Sequence, residues 1–109
     1  MTRRPSDQDL SIEAVEEEGG VRLVLSGELD LAFSGRLDDA IDKHASKGTT
    51  LTVDLTQLQF MDSSGLAALL KAEDAAKQDG WQLTDASAPG PVDRVFDITD
   101  TRRLLHFVD

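Results

Sequence analysis

Apolar positions near the start of the chain recur at every second residue. Leu10, Ile12 and Ala14 alternate with Ser11 and Glu13, which predicts a half-buried strand running into Val15. Glu16-Glu17-Glu18-Gly19-Gly20 then reads as an acidic turn whose glycines supply the positive backbone dihedrals of a tight hairpin. Val21, Leu23 and Leu25 alternate with Arg22, Val24 and Ser26 as a second strand, antiparallel to the first. The period then lengthens. Phe33, Leu37, Ala40, Ile41 and His44/Ala45 recur at three- and four-residue spacing, with Arg36, Asp38, Asp39, Asp42 and Lys43 turned outward. This predicts a helix capped by Asp30 and ended by Gly48.

Leu51 to Leu55 restores the strand pattern, and Thr56 to Asp62 reads as a loop. A second helix runs from about Ser63 to Gln78. Its apolar stripe is Leu66, Leu69, Leu70, Ala72, Ala75 and Ala76, with Lys71, Glu73, Asp74 and Lys77 opposite and Glu73 paired to Lys77. Asp79-Gly80 stops it, and Trp81 to Thr84 forms the next strand, with Trp81 packed at its start. After a loop, Pro91 opens a short helix over Val92 to Thr99 with Val92, Val95 and Phe96 inward. Leu104, Leu105, Phe107 and Val108 close the chain as a strand or extended segment, while Arg94, Arg102 and Arg103 are read as solvated.

Strand, helix and strand in succession make βαβ units, whose strands are parallel and whose crossovers are right-handed. The fold class is therefore α/β: one domain over residues 10–109, with a mixed four- to five-stranded sheet, an N-terminal antiparallel hairpin and helices packed on the sheet. Met1 to Asp9, polar with Arg3, Arg4 and Pro5, reads as a disordered leader. The loops Gly27–Ala32 and Thr56–Asp62 both leave the carboxyl ends of parallel strands. If those strands are neighbours, Asp30 and Ser63 share one edge of the sheet, where α/β folds place their sites.

Composition narrows the function classes. The 109 residues carry 21 acidic and 11 basic side chains, a formal charge of −10. Nucleic acid and anionic membranes call for the opposite sign, so neither is an expected partner. The absence of cysteine excludes disulfides, thiolate nucleophiles and cysteine-ligated zinc, and His44 and His106 are too few and too far apart for a histidine metal site. No apolar run has the length of a membrane span and the start lacks an apolar signal segment, so a cytoplasmic protein is expected. Ser64-Gly65 is no hydrolase elbow, and no glycine-rich phosphate loop with a lysine is present. Without a nucleophile, base and oxyanion set, the chain is not expected to be an enzyme.

The chemistry concentrates at Phe60-Met61-Asp62-Ser63-Ser64-Gly65-Leu66. Asp62, Ser63 and Ser64 stand where a loop turns into a helix, and their oxygens can cap its first-turn amides. This heptapeptide, after a strand ending Val53-Asp54-Leu55, resembles the signature of STAS domains and most of all the bacterial anti-sigma factor antagonists. Gly27-Glu28-Leu29-Asp30 resembles the family's second recurring motif. The resemblance covers Leu10 to Val108. It implies that Ser63, directly after the aspartate, is phosphorylated by a partner serine kinase that doubles as an anti-sigma factor, and that Ser64 is the structural cap.

The resemblance further implies a partner surface of Glu28, Asp30, Asp62, Ser63, Ser64, Gly65 and Leu66. The unmodified chain would bind the kinase and free its sigma factor, phosphorylation would end the binding, and a serine phosphatase would reset it. No cofactor is expected in this chain, since ATP and its metal belong to the kinase, and a monomer or weak dimer is expected. Competing roles within the superfamily are a scaffold subunit of a stress-signalling assembly and a cytoplasmic accessory of a transporter. Two departures stand out: Asp100-Thr101 replaces a common Gly-Leu, and the chain stops at Asp109 where many members add a helix. Asp tolerates a left-handed backbone better than most residues, which limits the first.

Overall fold

The structure, a computed structural model, describes residues 9–108; the expected leader over residues 1–9 lies outside them except for Asp9. The elements run β1 (Ser11–Glu17), β2 (Gly20–Leu29), α1 (Ser34–His44), β3 (Thr50–Met61), α2 (Ser63–Asp79), β4 (Gln82–Ala86), α3 (Pro91–Ile98), a 3-10 turn (Arg102–Leu104) and β5 (Phe107–Val108). They form one five-stranded sheet in the order β1-β2-β3-β4-β5. β1 and β2 are antiparallel and every later neighbour pair is parallel. The hairpin and the βαβ units are thus where the periodicity placed them.

The core is the alternate face of the strands closed by the helices. Leu23 and Leu25 of β2, Leu51, Val53 and Leu55 of β3 and Leu83 of β4 are buried with Leu37 and Ile41 of α1 and Leu66, Leu69, Ala72 and Ala76 of α2. The opposite face carries Arg22, Asp54, Thr52 and Thr84. Arg22 bridges Glu17 and Asp54 at 2.9 and 3.0 Å, and the two threonine hydroxyls meet at 2.7 Å. Burial raises Asp54's pKa, but hydrogen bonds from Thr56 and then Arg22 outweigh it and hold the carboxyl below its ordinary value.

Several expectations need correction. β2 continues through Gly27 to Leu29, and β3 continues through the expected loop to Met61. Between Val24 and Ser26, and again between Gly27 and Glu28, β3 contributes one residue more than β2, so two bulges break the ladder. Buried positions on β3 then fall at Leu55, Leu58 and Met61 rather than at alternate residues, which is why the sequence reads as a loop. Asp30 does not cap α1. Its carbonyl accepts from Phe33 and Ser34 and its Oδ1 from Ala32, forming a turn ahead of a helix whose N-cap is Phe33.

At the far end, α1 stops at His44, and Gly48 lies in the following turn with φ 86°. Glu73 is not outward beside Lys77: it is 4% exposed, and its Oε1 lies 3.1 Å from His106 Nδ1. The closing segment is a 3-10 turn with Leu104 exposed, followed by a two-residue strand. Arg102 is held rather than solvated, bonded to Asp93 and Asp97 at 3.0 and 2.8 Å and lying over the rings of Phe96 and Phe107. Asp100 does adopt the left-handed backbone, φ 56°, that the departure from Gly requires.

Candidate functional site

Leu29 pairs with Met61 at the carboxyl ends of β2 and β3, and Asp62 N–H then donates to Leu29 carbonyl at 3.2 Å. The strands are neighbours, so Asp30 and Asp62, the residues that follow them, leave the same edge of the sheet. Glu28 stands opposite Phe60 in the same ladder. Residues remote in sequence, Glu28 and Asp30 on one side and Asp62 to Leu66 on the other, are brought together as the parallel crossover required.

The helix start is built by Asp62, not by Ser64. Asp62 Oδ1 accepts from Ser64 N–H at 2.8 Å and from Gly65 N–H at 3.2 Å, and Leu66 N–H reaches Asp62 carbonyl. One aspartate therefore satisfies amides that a bare helix end leaves unpaired. Ser63, the first residue of α2, is exposed, and its hydroxyl is not used in the cap. Ser64 is half-buried and contributes its N–H rather than its side chain.

Gly65 explains why a glycine follows the serines. A Cβ there would sit 2.7 Å from Met61 Cγ and 2.8 Å from both Leu29 Cγ and Leu29 carbonyl. Only a residue without a side chain lets the first turn of α2 lie directly on the ends of both strands. Leu66, assigned to the partner surface, is instead buried at 7% exposure; it anchors the helix in the core. The outward members of the edge are Ser63, the half-buried Glu28, Asp30 and Asp62, and two large apolar residues outside the expected partner surface. Leu31 is 79% and Phe60 45% exposed. Their signal was present in the sequence, since Phe60 opens one motif and Leu31 directly follows the other.

This edge presents one exposed nucleophilic hydroxyl, that of Ser63, next to Asp62 on the first turn of α2, with Glu28 and Asp30 on the same edge of the sheet. Among the described residues no group of three histidine, cysteine or carboxylate ligands is placed to hold a metal ion, and no helix is long and apolar enough to cross a membrane.

An α/β domain with an antiparallel hairpin, parallel βαβ units and an Asp-Ser-Ser-Gly helix start defines a class, and the comparisons agree with it. A family model described as "Mlab, STAS domain" matches residues 12–106. The chain belongs to the STAS domain family. Within that family it is similar to the anti-sigma F factor antagonist of Paenibacillus polymyxa, 31% identical over 105 residues that span 93% of this chain and 88% of that protein. Its fold is similar to that of an anti-sigma factor antagonist from Mycobacterium paratuberculosis, with a TM-score of 0.75 at 20% identity over 91% of this chain and 85% of that one. It is also similar to the Bacillus cell fate determinant SpoIIAA in the phosphorylated form, with a TM-score of 0.51 at 23% identity over 92% and 91% of the two chains.

Proposed function

We propose that this chain is an anti-sigma factor antagonist switched by phosphorylation of Ser63. The unmodified domain docks its Ser63 edge on an anti-sigma factor that is also an ATP-dependent serine kinase, and the sigma factor is released. The kinase then transfers the γ-phosphoryl group of ATP to Ser63 Oγ: the hydroxyl oxygen bonds to phosphorus, ADP leaves, and the hydroxyl proton passes to a base of the kinase. ATP and its metal are the kinase's, and a separate serine phosphatase restores the hydroxyl.

The observation that carries this reading is the exposed Ser63 hydroxyl left unused by a cap that Asp62 makes alone. A visiting active site can take that oxygen without unpicking the helix. The added phosphate brings about −1.5 to −2 charge units. Asp62 already occupies the Ser64 and Gly65 amides, so the new dianion stands beside Glu28, Asp30 and Asp62 with little local relief beyond the helix dipole. A partner surface that covered a neutral hydroxyl must then desolvate a dianion, and a loss of about 4 kcal/mol corresponds to a thousandfold weaker complex.

The test is to capture native partners with the immobilised chain, add ATP, and map phosphate by mass spectrometry. Release of a captured kinase together with phosphate on Ser63 is the expected result. Phosphate on Ser64 alone, or a complex that survives stoichiometric modification of Ser63, overturns the proposal.

A further inference from the structure

The last described residues close over the most deeply buried acid of the domain. β5 is two residues long and meets the sheet through two ladder pairs, Asp85 with Phe107 and Ala86 with Val108. One residue earlier, His106 ties itself to two different elements. Its carbonyl accepts from the Asp85 N–H of β4 at 2.8 Å, and its Nδ1 lies 3.1 Å from Glu73 Oε1 of α2. Phe107 packs edge-on against Phe96 of α3 with ring centroids 4.9 Å apart, and the Arg102 guanidinium lies 5.0 Å from its own centroid. Residues 105–108 thus form a short strap clasped by His106. A terminal piece held by so few contacts opens at less cost than the strands behind it.

Beneath the strap lies Asp85, 0% exposed, with neither carboxylate oxygen hydrogen-bonded among the described residues. Its ladder partners, Val53 of β3 and Phe107 of β5, carry no charge. Glu73 approaches from α2 and His106 from the strap. Lys77, one turn further along α2, lines the same cleft as Glu73 and His106. On the α3 side Arg102 is already bonded to Asp93 and Asp97. Burial first, and then the Glu73 carboxylate, push the Asp85 pKa up from 3.8 to about 7, while His106 offsets part of this.

We propose that residues 105–108 are a pH-sensitive strap, which stays closed on β4 while Asp85 is protonated and comes off more readily once that carboxyl ionises, with the central strands still folded. The physical cause is where the charge can go. An ionised Asp85 finds no donor inside, and lifting the strap removes its cover on the β5 side and lets water reach it. Opening therefore releases a proton. Between the ordinary carboxyl value and about 7, each pH unit raises the open population about tenfold, roughly a thousandfold in all. Above that range the closed and open forms are both ionised, and the rise stops. Glu73 lies about 15 Å along α2 from Ser63. The strap is therefore independent of the phosphorylation reading.

Amide hydrogen exchange of the full, unmodified chain tests this by NMR from pH 5 to 8.5, each rate being divided by the intrinsic rate of that amide. The Asp85 amide, bonded to His106 carbonyl, reports the strap, and the Val53 amide of β3 reports unfolding of the sheet. Protection at Asp85 is expected to fall about tenfold per pH unit up to about pH 7 and to level off above it. It should also stay at least tenfold below protection at Val53 throughout, as a local opening requires. Asp85→Asn should leave protection at residue 85 flat with pH. Constant protection at Asp85 in the parent, or equal protection at Asp85 and Val53 at every pH, overturns the proposal. If Asp85→Asn does not fold, His106→Ala decides the question. That variant loses the side-chain clasp, so its protection should drop while the slope survives, and a vanished slope assigns the response to the histidine and overturns the proposal.

Discussion

Replacing Asp85 by Asn should flatten the pH dependence of stability and make the domain firmer in mildly alkaline buffer. Asp85 is wholly inside the protein, and its pKa rises from 3.8 to about 7, first because burial disfavours the anion and second because Glu73 is near. Between those two values the folded chain holds a proton that the unfolded chain has released. Stability contributed by this group is thus complete below pH 4 and is lost as pH rises toward 7. A shift of about 3 units at 1.36 kcal/mol per unit gives up to about 4 kcal/mol, a large part of the 5–15 kcal/mol typical of a domain. Asn keeps the neutral shape and cannot ionise. Urea unfolding of both proteins from pH 4.5 to 8.5 isolates Asp85 together with its coupling to Glu73 and His106, because titrations not coupled to it cancel in the difference. The two should nearly converge toward the acid end, with Asp85→Asn ahead by several kcal/mol at pH 8. Parallel curves, or a variant that loses ground as pH rises, would refute the reasoning.

Five substitutions at four positions probe the helix start. Asp62→Ala removes the oxygen that accepts from Ser64 and Gly65, and should lower the unfolding free energy by about 1 kcal/mol in urea titration, whereas Ser64→Ala should change it far less. Gly65→Ala drives a Cβ against Met61 and Leu29 and should cost about 1–3 kcal/mol, read from the same titration. Ser63→Ala should keep capturing the kinase in the presence of ATP, while Ser63→Asp should bind at least a hundredfold more weakly by calorimetry. Both should melt within about 4 °C of the parent, since an exposed hydroxyl outside the cap supports little of the fold.

Elements whose pattern is local were legible. The Gly-Gly hairpin and the two long helices each follow from a handful of adjacent residues. What failed depends on a partner strand. The tail of β3 is a strand only because β2 runs beside it through two bulges, and a bulge is a property of the pair that neither segment displays alone. Asp30 was misread for a related reason. The chain makes one turn on Asp30's carbonyl before the helix proper begins, and capping preference cannot tell that turn from the helix it precedes.

The candidate site divides in the same way. Asp62, Ser63 and Ser64 could be placed at a helix tip from their immediate neighbours, whereas setting Asp30 beside them needed β2 and β3 to be adjacent in the sheet, which they are. Which oxygen makes the cap was not legible, because it turns on a rotamer: Asp62 Oδ1 reaches two amides at once and leaves both serine side chains out of it. The carboxylates at the far end were hidden by their chemistry rather than by their spacing. Glu73 falls four residues after Leu69 and three before Ala76, squarely on the buried stripe, and Asp85 follows Leu83 at strand period. Spacing points both inward, while charge argues outward. Spacing prevails because α2 and β4 are already committed by their apolar residues, and the cost of carrying two acids inside falls on Asp85's proton and on the bond from Glu73 to His106.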